Sequence, residues 1–497
     1  MSEQKFRVVI AGGGTAGWVA AAALVRHLGP NLDITLVESD AIGTVGVGES
    51  TIPTAWTFHK LLGINEQVFL RETNATFKLG ISFENWLREG DRYFHPFGTI
   101  GRALPLCDFQ HFWLEAQARG FGGALGDYSL ETQAALAQKF ATGDPMPLAY
   151  AYHLDATAYA AFLRGLAEPA GVRRVEGRIT EVEQAENGDL AALVLEGGLR
   201  IAGDLFIDCT GFRALLIEET LKTGFNDWSH WLPTNRAFAV QSETTEAPVP
   251  YTRAIAHGAG WRWRIPLQHR MGNGFVYASD YLSDDEARDQ LLAAVPGRAL
   301  FDPRLIRFTT GMRKQAWSRN CVALGLASGF IEPLESTSIH LVMIAVTRLL
   351  QNFPSHGDMA TFAKRFNAQS RAESEHIRDF IILHYKLNDR PEPFWRDHAA
   401  RAVPDSLAAR IALFEEGAAA YQEGTDLFRI ESWNAVMLGQ GVRPRDHHPM
   451  PAQIPSADLE RALADLRAGI AAQLAKLPGH AEFIARYAAA KVPAAAA

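Results

Sequence analysis

Cysteine is scarce in this chain of 497 residues. Its three cysteines, Cys107, Cys209 and Cys321, are odd in number, far apart and set in apolar stretches. This pattern excludes a disulfide framework and indicates buried thiols in a reducing compartment. We therefore expect a cytoplasmic protein.

Long apolar runs and basic clusters are also missing. The apolar segment 8–11 is short and ends in glycines, so it predicts neither a signal peptide nor a membrane span. No basic run exceeds the pair Arg173 and Arg174, and the formal net charge is -8. Nucleic acid and anionic membranes are therefore poor candidates for partners.

What is present is an ordinary globular composition, with 47% hydrophobic and 21% charged residues. Disordered and low-complexity proteins are excluded. The length predicts roughly three domains, or two if one is a large cofactor-binding α/β unit.

The start of the chain predicts a βαβ unit. Residues 6–12 read as a buried strand, 15–28 as a helix and 33–38 as a second strand, which implies a parallel sheet. Two later apolar runs, 204–209 and 321–326, predict further strands of that sheet. The cofactor domain is therefore discontinuous.

The remaining segments differ in pattern. Residues 83–149 are rich in aromatics and glycine, 232–310 alternate as strands do, and helical periodicity begins after residue 338. We expect an α/β fold whose parts are a doubly wound, monooxygenase-like FAD-binding module, β-rich substrate insertions and a C-terminal helical cap. The predicted boundaries are 1–82, 150–215 and 311–350 for the module, 83–149 and 216–310 for the insertions, and 351–497 for the cap.

The first strand is followed by a dinucleotide fingerprint. Gly12, Gly14 and Gly17 fit G-x-G-x-x-G at the opening of a helix, and Glu38 ends the next strand. Backbone N–H groups there can approach a pyrophosphate, and Glu38 can bind a ribose. The motif alone does not separate NAD from FAD, but the late small-residue segment 325–329 favours FAD.

A second glycine-rich loop occupies residues 43–53. Its density of small residues suggests close backbone approach to a flat ligand. A solvated surface loop is an equally good interpretation of the loop in isolation.

Residues 261–266 read Trp-Arg-Trp-Arg-Ile-Pro, and Trp261 and Trp263 fall on one strand face. A packed aromatic core is the simple reading of such a face. The hexapeptide nevertheless resembles the W-x-W-x-I-P motif of the flavin-dependent halogenases, typified by tryptophan halogenases. The resemblance runs from the fingerprint through Gly-Val-Gly-Glu-Ser-Thr at 46–51 to about Gly441. It implies that the two tryptophans form a barrier between flavin and substrate.

The same resemblance implies a catalytic pair. Lys78 lies between Phe77 and Leu79, an awkward place for a solvated amine, and matches the family's catalytic lysine. Desolvation would lower its pKa, so that it can hydrogen-bond hypohalous acid or form a haloamine. Glu335, in the segment 331–339, matches the glutamate that polarises the halogen donor or takes the ring proton.

A halide site is expected just after Glu335. The backbone N–H groups of Thr337 and Ser338 match the family's halide-binding pair. An ordinary helix start, with Ser336 as the cap, is the alternative. Ser338 replaces the usual glycine, which adds a side chain and restricts φ.

The resemblance also implies a substrate pocket. His95 and Phe97 match residues that line it, although a core histidine is nearly as good a reading, and the segment 432–441 adds Trp433. The tyrosine- and glutamate-rich clamp that holds the charged end of tryptophan is not recognisable at 425–432. We therefore expect a neutral, indole-like aromatic substrate.

The predicted cofactor contacts extend beyond the fingerprint to both glycine-rich loops and several apolar positions. They are Gly12, Gly14, Thr15, Ala16, Gly17, Glu38, Gly48, Glu49, Ser50, Ile179, Leu326 and Ile339.

The conclusion from the sequence is an FAD-dependent halogenase that uses reduced FAD, oxygen and chloride or bromide. No second nucleotide fingerprint is evident, so a separate flavin reductase is expected as a partner, and the protein is a monomer or homodimer. His447 and His448 have no spaced partners, so no metal is expected. The alternatives are an FAD-dependent aromatic monooxygenase and a non-catalytic flavin-binding protein.

We predict that the protein alone does not oxidise NAD(P)H in the presence of an aromatic substrate. With FAD, a flavin reductase and bromide it should give brominated products, detected by mass spectrometry of an aromatic panel. Hydroxylated products with NAD(P)H oxidation by the protein alone would favour the monooxygenase. Inertness with every halide would favour the non-catalytic protein.

Overall fold

The strand Phe6–Ala11 lies inside the first sheet because its apolar side chains are covered on both faces, as parallel strands require. The structure is a computed structural model that describes residues 5–42, 48–143, 148–354, 359–424 and 426–488. Residues 43–47 of the second glycine-rich loop, and Thr425 in the expected clamp region, lie outside these ranges.

The first sheet has six strands, drawn from well-separated parts of the chain, and all are parallel except the edge strand Trp317–Ser318. Their spatial order is Trp317–Ser318, Cys321–Ala323, Leu205–Asp208, Phe6–Ala11, Leu32–Glu38 and Arg173–Glu176. The predicted βαβ unit and its two later strands are thus confirmed. The predicted domain boundaries stay a prediction.

The second sheet has seven strands and is antiparallel except where Thr252–His257 runs parallel to Gly80–Glu84. Its order is Arg304–Arg307, Arg236–Ser242, Met271–Tyr277, Gly260–Pro266, Thr252–His257, Gly80–Glu84 and Arg92–Pro96. The region 232–310, predicted to alternate as strands do, supplies five of these seven strands.

Three small sheets connect these layers, each with three strands. The one that matters most for the site joins Gly48–Ser50, Ala151–Asp155 and Thr76–Lys78. The others are Ile179–Gln184 with Leu190–Leu195 and Arg200–Ala202, and Phe225–Asp227 with Gly311–Arg313 and Gly329–Phe330.

Helices cover the first sheet and form most of the C-terminal part. The longest, Ala360–Lys386, packs against the helices that follow it and against the edge strand Trp317–Ser318. No helix in the described ranges is long and apolar enough to cross a membrane. The helices are Thr15–Leu28, Thr54–Leu62, Glu66–Glu72, Phe109–Ala118, Leu130–Leu136, Ala156–Ala167, Asp284–Ala294, Ser338–Gln351, Ala360–Lys386, Pro393–Ala400, Asp405–Gly417, Ile430–Gly439, Ser456–Lys476 and His480–Ala488.

Two large apolar clusters make up most of the interior. One lies between the six-stranded sheet and the helices Thr15–Leu28, Ala156–Ala167 and Ser338–Gln351. The other lies between the seven-stranded sheet and the C-terminal helices. The segment 331–339 passes between the two clusters and contributes to both, which places it at the junction of cofactor and substrate sides.

Candidate active site

A cavity of about 760 Å³ runs from the fingerprint to the tryptophan strand. Residues of the fingerprint, residues of the second glycine-rich loop and the start of the helix Ser338–Gln351 all line it. The predicted residues that line it are Gly12, Gly14, Thr15, Ala16, Glu38, Glu49, Ser50, Ile179, Trp261, Trp263, Leu326, Ser338 and Ile339.

The fingerprint has the geometry of a phosphate cradle. Gly12 has a φ of 105°, and a Cβ on Gly17 would lie 1.9 Å from the Gly12 carbonyl oxygen, so both positions require glycine. A Cβ on Gly14 would meet nothing within 4 Å, which leaves that side open to a ligand. The helix Thr15–Leu28 has no side-chain cap, so its first N–H groups are available to a pyrophosphate.

Glu38 borders the cavity and is held by Arg174 Nε. It sits so close beneath Gly13 that any side chain at position 13 would collide with its carboxylate. Its orientation is therefore set before a ribose arrives. The cradle and this carboxylate together fit the dinucleotide half of FAD.

The tryptophan strand Gly260–Pro266 presents Trp261 and Trp263 to the cavity, and both side chains are buried. Trp263 lies over Gly274 of the neighbouring strand, where an added Cβ would be 1.9 Å from its ring. The two tryptophans thus belong both to the packed core and to the wall of the cavity.

The segment after Ile331 turns sharply before its helix begins. Pro333–Glu335 form a 3₁₀ turn, Ser336 has a φ of 62°, and the helix starts at Ser338. Ser336 is not the helix cap: that position is Thr337, whose side chain makes no capping hydrogen bond. Ser338 has no positive φ, so a serine adopts this backbone conformation without strain.

Lys78 is fully buried at the end of the strand Thr76–Lys78. Its Nζ donates to Ser50 Oγ at 2.8 Å, Ser336 Oγ at 2.8 Å and the Thr51 carbonyl oxygen at 3.3 Å. Burial lowers the pKa of Lys78 to about 7, although Glu335 opposes the shift. An amine whose pKa is close to neutral pH can serve as a hydrogen-bond donor when protonated or as a nucleophile when neutral.

Glu335 is also buried, and two histidines surround its carboxylate. His95 Nδ1 lies 3.1 and 3.0 Å from its two oxygens, and His384 Nε2 lies 2.9 Å from Oε1. Burial raises the pKa of Glu335, but His95 and His384 outweigh it and lower the pKa to about 2. The group is a carboxylate at neutral pH.

The predicted pocket residues are only partly gathered. Phe97 has its ring centroid 5.0 Å from Lys78 Nζ, and His95 contacts Glu335. Trp433 is one ring further away, 4.9 Å from Phe380, which lies 5.7 Å from His95.

None of Lys78, Glu335, His95, Phe97 and Trp433 lines the large cavity. Gly17 and Thr337 are not among its lining residues either. The link between the cavity and Lys78 is made by Ser50 and Ser336, which line the cavity and both contact Lys78.

Sequence reasoning missed the contacts of His384, Ser336 and Glu332. Glu332 is fully buried and accepts hydrogen bonds from Thr234 and Tyr385, and burial raises its pKa to about 7. Glu332 and Ser336 belong to the segment 331–339, which carries part of the family resemblance. No pattern in the sequence indicated His384, which lies 49 positions beyond Glu335.

A parallel sheet with a glycine cradle at its carboxyl edge, opening into a cavity walled by tryptophans, is typical of an oxidoreductase that binds a dinucleotide cofactor. The family model described as tryptophan halogenase matches residues 7–456. The chain belongs to that family and is a flavin-dependent halogenase. Its cofactor is FAD, and it requires halide and reduced flavin from a separate reductase, as the sequence predicted.

Individual relatives are similar over nearly the whole chain. The tryptophan 6-halogenase SttH of Streptomyces toxytricini is 35% identical, over 96% of this chain and 98% of its own length. A solved flavin-dependent halogenase from Xanthomonas campestris has a TM-score of 0.97 at 53% identity, covering 99% of this chain and all of that chain. BrvH from Brevundimonas sp. BAL3 has a TM-score of 0.93 at 44% identity, covering 98% and 99%. The predicted fold class is confirmed.

The contact between Trp263 and Gly274 generates a prediction. Gly274→Ala should lower stability by about 1–3 kcal/mol, because its methyl group has no room beneath the indole ring. On a Trp263→Ala background the same change should cost much less. Thermal denaturation of the four proteins in this double-mutant cycle measures the coupling, and additive effects would contradict the packing.

Proposed function

We propose that Lys78 and Glu335 direct electrophilic halogenation of a neutral, electron-rich aromatic ring. The observation that supports this most directly is their shared burial, with Lys78 facing Phe97 and Glu335 facing His95. Reduced FAD supplies, with oxygen, the oxidation of halide to hypohalous acid. The remaining steps belong to side chains of this chain.

The halide would be held by the N–H groups of Thr337 and Ser338. The first N–H groups of a helix lack intrahelical acceptors, and the helix dipole favours an anion there. Ser338 lines the cavity, and Thr337 immediately precedes it without a side-chain cap. Chloride and bromide both suit such a site.

Trp261 and Trp263 would keep the organic substrate away from the flavin. The wall they form is continuous with Ile265, and the large cavity ends at Ser50 and Ser336 on the side of Lys78. Hypohalous acid is small and polar enough to pass these two hydroxyls. An aromatic ring is not.

Lys78 would then bind the halogen donor. A protonated amine hydrogen-bonds hypohalous acid and polarises it, whereas a neutral amine can form a haloamine. Glu335 stabilises positive charge on the ring and accepts the ring proton. This arrangement orients the halogen to one side of the ring, between Phe97 and His95.

The substrate is proposed to lack a zwitterion, because the charged side chains near Trp433 already have partners. Asp426 lies 2.7 Å from His376 and 3.0 Å from Arg410, and Arg429 lies 3.6 Å from Glu431. An amino acid would have to displace one of these pairs. An indole or a similar neutral ring would not.

A cytoplasmic location stays a prediction, in keeping with the free thiols of Cys107, Cys209 and Cys321. The choice between monomer and homodimer also stays a prediction.

Lys78→Ala should abolish halogenation and leave FAD binding intact, because the amine acts on the halogen donor. Lys78→Met, which keeps the side-chain volume, should do the same. The matched control is Lys60→Ala, since Lys60 is exposed and should be dispensable. Product yield by mass spectrometry and flavin binding by fluorescence measure the two effects. Substantial product from a folded Lys78→Met protein would remove Lys78 from the mechanism.

The pH profile distinguishes the two roles of the amine. With the pKa of Lys78 at about 7, the neutral form gains population above this pH and the ammonium below it. Halogenation that rises through this pH indicates a haloamine route. Halogenation that falls indicates hydrogen bonding by the ammonium.

Free indole should be brominated with a higher kcat/KM than tryptophan, at its most reactive ring carbon, because nothing holds the ring by a charged end. Competition between the two substrates, followed by product analysis, tests this. A preference for tryptophan with substitution on the benzo ring would show that a clamp exists. Asp426→Asn should change neither result if the loop charges serve only the fold.

A further inference from the structure

The contact between His384 and Glu335 has an unusual proton requirement. His384 lies on the helix Ala360–Lys386 and is fully buried. Its Nδ1 is 2.8 Å from the Phe380 carbonyl oxygen. A carbonyl oxygen can only accept a hydrogen bond, so Nδ1 carries a hydrogen.

The other ring nitrogen, Nε2, lies 2.9 Å from Oε1 of Glu335. In a neutral ring whose hydrogen is on Nδ1, Nε2 carries no hydrogen, and an electron-rich nitrogen this close to a carboxylate oxygen is repelled by it. Nε2 has no aligned hydrogen-bond partner, so the contact is a close approach and not a linear hydrogen bond. A proton on Nε2 turns this repulsion into an attraction between an imidazolium and a carboxylate.

The surroundings place that proton on the histidine. Glu335 already accepts from His95 Nδ1 and lies near the amine of Lys78, and both favour the carboxylate form. His384 is surrounded by aromatic rings, with centroids at 4.7 Å for Phe83, 5.1 Å for Phe380 and 5.9 Å for Trp86. Two of these rings meet the imidazole in a T-shaped and one in a tilted arrangement, so they enclose it in apolar surroundings where the attraction of the Glu335 carboxylate is strong.

We propose that His384 is a positioning residue that stores one proton for Glu335 and returns it during halogen transfer. This inference rests on the proposed role of Glu335. It adds to that role a source of the proton that turns the leaving oxygen into water.

The proposed step is balanced in atoms and charge. The π electrons of the ring attack the halogen of hypohalous acid, the oxygen–halogen bond breaks, and its electron pair stays on oxygen. That oxygen takes the stored proton through Glu335 and leaves as water. The ring cation then loses its C–H proton to Glu335, which passes it to His384. The sum is ArH + HOX → ArX + H₂O, and the stored proton is restored.

The other ionisable groups that face this pair are Lys78, His95 and Tyr93. The pKa of Tyr93 is raised by burial and by Glu335, so it stays neutral at neutral pH. Its hydroxyl donates to Gln440 and not to Glu335. Lys78 and His95 are the groups whose contributions must be separated from that of His384.

The protonation of His384 can be measured without turnover, by ¹⁵N NMR of the histidine-labelled full-length protein at neutral pH. A difference spectrum against His384→Gln assigns the signal, because Gln keeps an N–H donor but holds no proton to give. We expect both ring nitrogens to carry hydrogen, and we expect this to be lost in Glu335→Gln. A neutral ring, with hydrogen on Nδ1 alone or on Nε2 alone, would overturn the proposal.

Kinetics supply the second readout. His384→Gln should lower kcat for indole bromination at least tenfold, leave KM within about twofold, and leave the melting temperature and FAD binding near those of the wild type. A kcat unchanged in this folded variant would overturn the proposal. If the wild-type protein halogenates no aromatic at all, the proposed function fails, whereas the NMR result on the ion pair still stands.

Discussion

The burial of two opposite charges away from solvent is the constraint on which this active site depends. Lys78 and Glu335 are removed from solvent, and a charge moved into such surroundings is costly unless other groups stabilise it. The fold meets the cost differently for each. Lys78 receives hydroxyls and a carbonyl, which stabilise an ammonium only weakly, and its pKa falls. Glu335 receives two imidazoles, and its pKa falls as well.

The result is an amine whose pKa is near neutral pH, in the same site as a carboxylate whose pKa is far below it. In water the two side chains would both be charged and would differ little from any surface pair. Here the pKa of the amine lies close to neutral pH, whereas the carboxylate is ionised before the reaction begins. That asymmetry suits chemistry in which one group handles the halogen and the other handles positive charge on the ring.

The separation of the cofactor cavity from the Lys78 side of the molecule follows from side-chain packing. Trp261 and Trp263 belong to a strand whose neighbour has a glycine where the indole needs room, so the wall is fixed by the sheet and not by a loop. Ser50 and Ser336 come from distant parts of the chain and meet at Lys78. A polar contact between the cavity and Lys78 therefore exists only in the folded protein.

The sequence by itself determined the elements whose physics is local. The glycine spacing at 12–17, the apolar run before it and Glu38 after it specify a βαβ cradle, because each requirement is met within one turn or one strand. The strand that carries Trp261 and Trp263, and the burial of Lys78 between Phe77 and Leu79, could likewise be predicted from the local sequence. Resemblance to a family supplied Glu335 and the halide pair, whose roles no local pattern reveals.

Tertiary structure alone decided which groups surround Glu335. His95 and His384, which are 289 positions apart in the chain, reach it from a strand and a helix. It also showed that Ser336 contacts Lys78 and not the helix end, and that Ser338 has no unusual φ. Protonation and hydrogen bonding depend on distances of a few ångströms between remote segments. Such distances exist only once the two apolar clusters have packed.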